Sequence, residues 1–383
     1  MAPSVPVSPR RAPDDGAWRY DVIVVGARVA GAIVAILVGE QGRRVLLLDR
    51  ATFPSDTLST HFFRAPALRA FHRVGVGAEV EASAPRLTVN HNVVDGIVFP
   101  EPVDRPDDFP FYLCVRRIVL DDILARRARR TPGVEFREGA RVERFLYDDG
   151  RMTGVEWSES GERRRAWAAV IVGADGVHST MARHVSPPAE HEEPVSRAMY
   201  YAYYRGVEPR PGPSAEFHYR GNRLVYCFPT DSGLTLLAAS VPIEDFAAFR
   251  RAPEASLEQE LRAMADLAPR LESARREGPV RGTGSIPGYL RVPYGEGWVL
   301  VGDAGMVMDP WSGQGIDQAT THAVALADEL SRYLSGAADW KSSMEAYHTA
   351  RNEFSRETYL RTCRFGRDLR PMTRVALERR GLA

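Results

Sequence analysis

The run of hydrophobic and polar positions sets the first expectations. Tyr20 to Val25 is a short β-branched run, Ala30 to Val38 are small and apolar at helical spacing, and Arg44 to Leu48 is a second strand run ending in Asp49. This order predicts a strand, helix and strand unit of about 30 residues. ATFPSDTLSTHFF then reads as a loop leading into a helical pattern through Leu68 and Phe71. CVRRIVLDDILARRARR predicts an amphipathic helix, and VEFREGARVERFLYDDGRMTGVEW a β meander turning at Asp149-Gly150. AWAAVIVGADGVHSTMARHV predicts a buried strand closed by a glycine-rich turn.

From Pro188 the pattern changes. MYYAYYRGV, AEFHYRGNRLVYCFPT and LTLLAASVP predict antiparallel strands, with turns at Gly221-Asn222 and at Asp231 to Gly233. LEQELRAMADLAPRLESARR predicts a helix that closes this region. The chain returns with GWVLVGDAGMVMDPWSGQGIDQATTHAVALADELSRYL, read as a buried strand, a loop ending at Gly313 and Gly315, and a long small-residue helix. Helical segments from about Trp340 onward are expected to form a covering layer.

Composition narrows the function classes. At 383 residues the chain exceeds one ordinary core, so one large or two coupled domains are expected. Its 50 basic and 50 acidic residues cancel, leaving no bulk field to gather nucleic acid or an anionic membrane. No run reaches the roughly 18 apolar residues of a membrane span. Cys114, Cys227 and Cys363 are odd in number and widely spaced, which argues against a disulfide framework or a metal site and favours a reducing cytoplasm. Among the cationic residues there is a single lysine, Lys341.

Three glycine-containing turns each follow an apolar strand: GARVAG at Gly26 to Gly31, GADG at Gly173 to Gly176, and GDAG at Gly302 to Gly305. Asp49 follows Gly26 by 23 positions, a spacing that suits an acid on the ribose of an adenosine. Arg28 stands where a dinucleotide fingerprint has its middle glycine, so its side chain must point away from the phosphates or reach beyond them. With these turns in this order, the sequence resembles the FAD-dependent aromatic hydroxylase superfamily of single-component flavoprotein monooxygenases, which includes geranylgeranyl reductases and flavin-dependent halogenases. The resemblance runs from about Tyr20 to Leu334.

It implies an α/β fold: a Rossmann-like FAD-binding domain from residues 19–80, 108–185 and 284–335, and an inserted antiparallel β-sheet substrate domain from 81–107 and 186–283. C-terminal covering helices, 336–383, and a disordered tail, 1–18, complete the expectation. The resemblance places Gly26, Ala27, Arg28 and Gly31 at the FAD pyrophosphate and Asp49 and Arg50 at the adenosine ribose. Arg117, in RIVL, would contact the cofactor, and Asp175 would lie in the groove shared by FAD and the reductant. Gly302 and Asp303 would hold the ribityl chain or pyrophosphate. Pro310, Gly313, Gln314, Gly315 and Ile316 would surround the ring, the helix beginning there offering N–H groups to the anionic reduced flavin.

No second strand, glycine loop and helix unit is visible, so NAD(P)H would bind transiently. That suits a monooxygenase in which NAD(P)H reduces FAD and O₂ gives a C4a-hydroperoxide that hydroxylates or epoxidises an aromatic or polyketide-like small molecule. A reductase of the geranylgeranyl-reductase type is the alternative. Halogenases of this superfamily use an active-site lysine and a WxWxIP segment, and the latter is absent. Two departures from the hydroxylase pattern are Arg28 and the lack of a histidine soon after GDA, where Asp309 follows instead. His61 is the candidate for proton handling, since imidazole titrates near neutral pH. Alternation puts Met199, Tyr201 and Tyr203 on one strand face and Tyr200 and Tyr204 on the other. Tyr201, Tyr203, His218 and Tyr226 are the candidate substrate residues. No metal is expected, and the chain is expected to act as a monomer or homodimer.

Overall fold

The computed structural model describes residues 18–59, 61–103 and 109–378. The expected tail lies outside these apart from residue 18. Five parallel strands form the centre of an eight-stranded sheet, in the order Trp298–Leu300, Glu162–Gly173, Trp18–Val25, Val45–Asp49 and Val134–Glu138. Their register sets Val22, Val24, Val45, Leu47, Val170 and Val172 on one face, and Ile23, Leu46, Leu48 and Ile171 on the other. Both faces are covered, which is why these strands read as unbroken apolar runs. Helix Val29–Glu40 is buried at every position but Glu40 and packs against helix Gly315–Leu334. A helix enclosed on all sides needs no polar stripe. The meander Arg141–Asp148 and Arg151–Glu159 extends the sheet, with Asp149 and Gly150 both at positive φ as a two-residue hairpin turn requires.

A seven-stranded sheet lies across the first layer, in the order Arg275–Thr283, Arg197–Arg205, Thr235–Pro242, Arg223–Pro229, Ser214–Arg220, Val89–Val94 and Ile97–Pro102. Its neighbours are antiparallel except Ser214–Arg220 and Val89–Val94, which run parallel and join two separate excursions of the chain. The inner face carries Met199, Tyr201, Tyr203, Phe217, Tyr226 and Phe228, packed with Phe62 and Trp311. The outer face carries Tyr200, Tyr204, Val225 and Cys227, under the helical segment from residue 246 onward. The two tyrosine faces therefore fall as alternation places them.

The helix expected over 257–276 is shorter. It spans Pro253–Arg262, a 3₁₀ turn follows at Ala268–Leu271, and Arg275–Thr283 is an edge strand paired with Arg197–Arg205. Pro269 cannot continue a helix. The edge strand buries no residue fully, so it lacks the apolar alternation that announces a strand. The C-terminal helices Trp340–Arg367 and Arg370–Glu378 lie over this assembly, where the Tyr347 hydroxyl donates to the Leu300 carbonyl at 3.0 Å and Trp311 Nε1 to that of Thr362 at 3.0 Å. No helix among the described residues is long and apolar enough to cross a membrane.

Candidate functional site

The first glycine loop is built by close approach. A Cβ on Gly26 would lie 2.4 Å from the Ala174 carbonyl oxygen, and one on Gly31 would lie 1.8 Å from that of Gly26. Neither position has room for a side chain. Arg28 has φ −77° and ψ −168°, ordinary extended backbone, so the middle position accepts one. The helix beyond has no side-chain cap and no acid in its first turn, which leaves its N–H groups and positive dipole end open to an anion such as a diphosphate. The Asp49 carboxylate accepts from the N–H groups of Ala27 at 2.7 Å and Ala51 at 2.8 Å, bracing the loop and keeping lone pairs for a further donor. Arg50 is exposed.

The second motif departs from expectation. Asp175 is engaged locally: its carboxylate accepts from Ser179 Oγ at 2.5 Å and from the N–H of Thr180 at 2.6 Å, at the start of helix Thr180–Val185. The short helix leaves N–H groups unsatisfied, and the preceding acid is the nearest acceptor. In the third motif Gly302 packs on Ala30 of the first helix, bringing the two glycine turns together. Asp303 is solvent-accessible yet deeply recessed, and its side chain has no hydrogen-bond partner among the described residues. Burial pushes its carboxyl up to about 6 against the opposing pull of Arg117.

Pro310 opens a 3₁₀ turn, Pro310–Ser312, capped by Asp309, which accepts from the Trp311 N–H at 3.0 Å. Gly313 then takes φ 61°, Gln314 is the uncapped start of helix Gly315–Leu334, Gly315 faces open space, and Ile316 anchors the turn in the main core. Two residues that the sequence did not single out hold this loop. The Arg64 guanidinium donates to Asp317 and to the Gly313 carbonyl, each at 2.9 Å, and the Arg64 N–H donates to Asp317 at 2.9 Å. Arg64 neutralises an acid that would otherwise weaken the positive end of the helix. The partners are 253 positions apart, so no local pattern signals them.

His61 lies between the layers, fully buried and in the left-handed region at φ 62°. The Val115 N–H donates to its carbonyl at 3.1 Å, tying it to the segment that carries Arg116 and Arg117. His61 Nε2 is 2.6 Å from the Tyr203 hydroxyl, with the rings stacked at 5.8 Å, while the Tyr201 ring meets the imidazole edge-on at 5.6 Å. Nδ1 is buried with no partner. Burial, then Arg117, pushes the imidazole down to about 3. This corrects the expectation of a group titrating near neutrality: His61 is a neutral imidazole, one nitrogen engaged by Tyr203 and the other buried without a partner. Arg116 lies over the Tyr203 ring at 5.5 Å and is held by Asp231. Arg117 donates through Nε to Asp121 at 2.9 Å.

The other two candidates lie elsewhere. The Tyr226 hydroxyl, on the inner face, donates to the Trp311 carbonyl at 2.7 Å and locks the sheet to the Pro310–Ser312 turn. His218 is on the outer face, a correction that follows from strand parity, because its neighbours Phe217 and Tyr219 face inward. It joins Glu216 and Asp266 in a trio spaced as metal ligands could be. Arg210 and Arg270 occupy those carboxylates, with Arg270 donating to both oxygens of Glu216 at 2.6 and 2.7 Å, so the cluster is an ionic lock. Burial raises the Glu216 carboxyl, but the bonds from Arg270 and His218 outweigh it and hold the group far below the usual range. Glu216→Gln should cost about 3 kcal/mol in denaturant unfolding by leaving two partly buried arginines short of charge around a buried site. A carboxyl depressed on folding stabilises above its unfolded pKa of about 4.3. The difference between parent and variant should therefore be full at pH 7 and shrink as pH falls below that value, and a constant difference would refute the assignment.

Comparison with known proteins places this arrangement. The family model described as "FAD binding domain" matches residues 19–362. The chain is 22% identical over 342 residues to the 1H-pyrrole-2-carbonyl-[peptidyl-carrier protein] brominase of Pseudoalteromonas luteoviolacea, covering 86% of this chain and 81% of that protein. It is 26% identical over 323 residues to 3-(3-hydroxy-phenyl)propionate/3-hydroxycinnamic acid hydroxylase 1 of Burkholderia vietnamiensis, covering 83% of this chain and 51%, about half, of that longer protein. Two solved structures share the fold: the myxobacterial chondrochloren halogenase, with TM-score 0.80, 24% identity and coverage of 88% of this chain and 80% of the other, and p-nitrophenol 4-monooxygenase of Pseudomonas putida DLL-E4, with 0.79, 19%, 91% and 89%. From its glycine turns to its C-terminal helix, the chain belongs to the FAD-binding-domain family and is an FAD-dependent oxidoreductase.

Proposed function

We propose that this oxidoreductase is a monooxygenase that uses NAD(P)H and O₂ to hydroxylate or epoxidise an aromatic or polyketide-like small molecule. The observation that carries the reading is the buried His61–Tyr203 pair, with one ring nitrogen unpartnered, set between the Val115–Arg117 segment and a sheet face of aromatic side chains. A buried polar atom without a partner costs about 1–3 kcal/mol, a cost that a ligand group bonding Nδ1 would remove. The neutral imidazole can accept a hydrogen bond from a substrate hydroxyl at Nδ1 while its Nε2–H donates to the Tyr203 oxygen, which orients the substrate without placing a charge in the buried site. Tyr201 and Tyr203 supply flat, polar-tipped walls for a ring, and the packed inner face excludes water.

FAD fits the residues present. The two glycine contacts at Gly26 and Gly31, the uncapped helix starts at Val29 and Gly315, and the partnerless Asp303 form a recess suited to a diphosphate, a ribityl chain and a ring. In this reading Gly26, Ala27 and Gly31 hold the pyrophosphate, Asp303 and Gly302 the ribityl chain, and Gly313, Gln314 and Gly315 the ring, with Arg117 beside it. Bound FAD supplies the electron transfer from NAD(P)H and the activation of O₂.

Likeness to the brominase and the chondrochloren halogenase favours halogenation as the second reading. The family pattern gives such enzymes an active-site lysine. Lys341 is the only lysine in the chain, and its side chain is 80% exposed on helix Trp340–Arg367, paired with Glu345. That position supports oxygenation over halogenation. The test is an anaerobic visible spectrum of the purified protein with NADPH and then NADH, followed by ¹⁸O₂ turnover with phenols and polyketide aromatics. Bleaching of the flavin band and incorporation of one labelled oxygen are expected. A flavin that neither nicotinamide reduces, together with bromide- or chloride-dependent product when reduced FAD is supplied, would overturn the reading in favour of halogenation.

A further inference from the structure

Arg28 replaces the glycine that would let a backbone approach a diphosphate, and the structure shows where its side chain goes. Its guanidinium crosses away from the loop, pairs with Asp121 at 2.5 Å, and donates to the Ser55 carbonyl at 3.2 Å, to Ser55 Oγ at 3.1 Å and to the Asp56 carbonyl at 3.2 Å. Asp121 is fully buried and bonds Arg117 through its other oxygen, so one carboxylate fixes both arginines. Asp56 and its neighbour Thr57 are also held from the seven-stranded sheet. Arg281, the register partner of Tyr201 on the edge strand, pairs with Asp56 at 2.5 Å, and the Tyr201 hydroxyl reaches the Thr57 carbonyl at 3.5 Å. Residues 51–59 therefore run as a strap between the first glycine loop and the substrate sheet. Near the far end of the strap, Ser59 Oγ accepts from the His61 N–H at 3.0 Å.

We propose that Arg28 is a positioning residue, not a phosphate ligand: with Arg281 as a second latch, it clamps residues 55–57 across the recess and so sets His61 and Tyr201 against the bound ring. Several charge-assisted bonds hold a short segment that carries no regular structure, which is the situation in which a single guanidinium decides order. The placement couples two sites. The loop that holds the cofactor and the strap that presents His61 share one side chain, so seating FAD at Gly26 to Gly31 also seats the strap. What the strap serves rests on the monooxygenase reading; the clamp itself does not.

Hydrogen exchange on the FAD-loaded, full-length protein tests the clamp without turnover. Arg28→Gly keeps the N-cap backbone, where glycine is well tolerated. It should retain FAD and raise exchange in residues 51–59 on the order of tenfold or more, leaving residues 22–38 unchanged. Arg28→Lys should restore part of the protection. Arg281→Met opens the second latch without unpairing a buried carboxylate, so it keeps the proposal testable if Arg28→Gly folds poorly, and it should produce the same local increase. Loss of FAD with strap exchange unchanged would make Arg28 a cofactor ligand and overturn the proposal, as would unchanged exchange in both latch variants. If wild-type protein shows no oxygen incorporation while the exchange results hold, the monooxygenase reading fails and the clamp stands. If oxygen is incorporated, Arg28→Gly should raise the substrate KM several-fold with a smaller change in flavin reduction.

Discussion

Replacing His61 with asparagine should slow oxygenated-product formation by roughly a hundredfold while FAD stays bound and NAD(P)H oxidation continues, so that reducing equivalents drain to peroxide. Asparagine is chosen because it tolerates the left-handed backbone that His61 adopts, which isolates the loss of the imidazole from a change of chain path. Tyr203→Phe, which removes only the hydroxyl 2.6 Å from Nε2, should give a similar loss, and the double variant should be little worse than either single one if the two groups act as a unit. Product yield per NAD(P)H consumed is the measurement. The pH dependence is a second check. An imidazole held near 3 stays neutral from pH 5 to 9, so no limb near pH 6.5 should belong to it. Because its folded pKa is depressed, the unfolded chain takes up a proton below about 6.5 that the folded one refuses, and stability should fall from there toward pH 3. His61→Asn should flatten part of that acid slope, and a rate limb near 6.5 that vanishes in the variant would contradict the buried pair.

Gly31→Ala should abolish retention of FAD. The new Cβ would sit 1.8 Å from the Gly26 carbonyl oxygen, a backbone atom that cannot rotate aside, so the turn must open by more than an ångström. Overpacking of this kind costs about 3 kcal/mol or more, which corresponds to at least about a hundredfold in FAD affinity if the whole displacement falls on the loop. The FAD-to-protein ratio after desalting measures it. Gly315→Ala is the matched control: its Cβ meets no atom within 4 Å, so the fold should be unchanged while a methyl group enters the recess. Normal FAD retention by Gly31→Ala would mean that the loop is not where the cofactor sits.

The features legible in the sequence were those built from neighbours. The three strand-and-turn units, the enclosed helix Val29–Glu40 and the two faces of the tyrosine strand follow from periods of two and 3.6 and from glycines at steric contacts. What was not legible depended on distant partners. The Arg64–Asp317 pair spans 253 positions and His61–Tyr203 spans 142, and neither has any local signature. Alternation separates His218 from Phe217, but which of the two looks inward is fixed only by pairing with strands far along the chain. The motif around Asp175 does not announce that its carboxylate accepts from the Thr180 and Met181 N–H groups of the next helix. The edge strand Arg275–Thr283 gave no signal because one row of its backbone groups is unpaired and its side chains are half in water.

The late position of the third glycine turn has a consequence for biosynthesis. Gly302 closes on Ala30, and helix Gly315–Leu334 closes on helix Val29–Glu40, so the proposed FAD recess acquires its second side only when residues beyond 317 have left the ribosome. Until then the nascent chain carries the first glycine loop without its later neighbour and a seven-stranded sheet whose aromatic inner face still lacks Trp311. On the proposed site flavin loading is a late event of synthesis, and the yield of active protein should track riboflavin supply during expression, because chains that mature without cofactor forgo the stabilisation that ligand binding contributes by mass action.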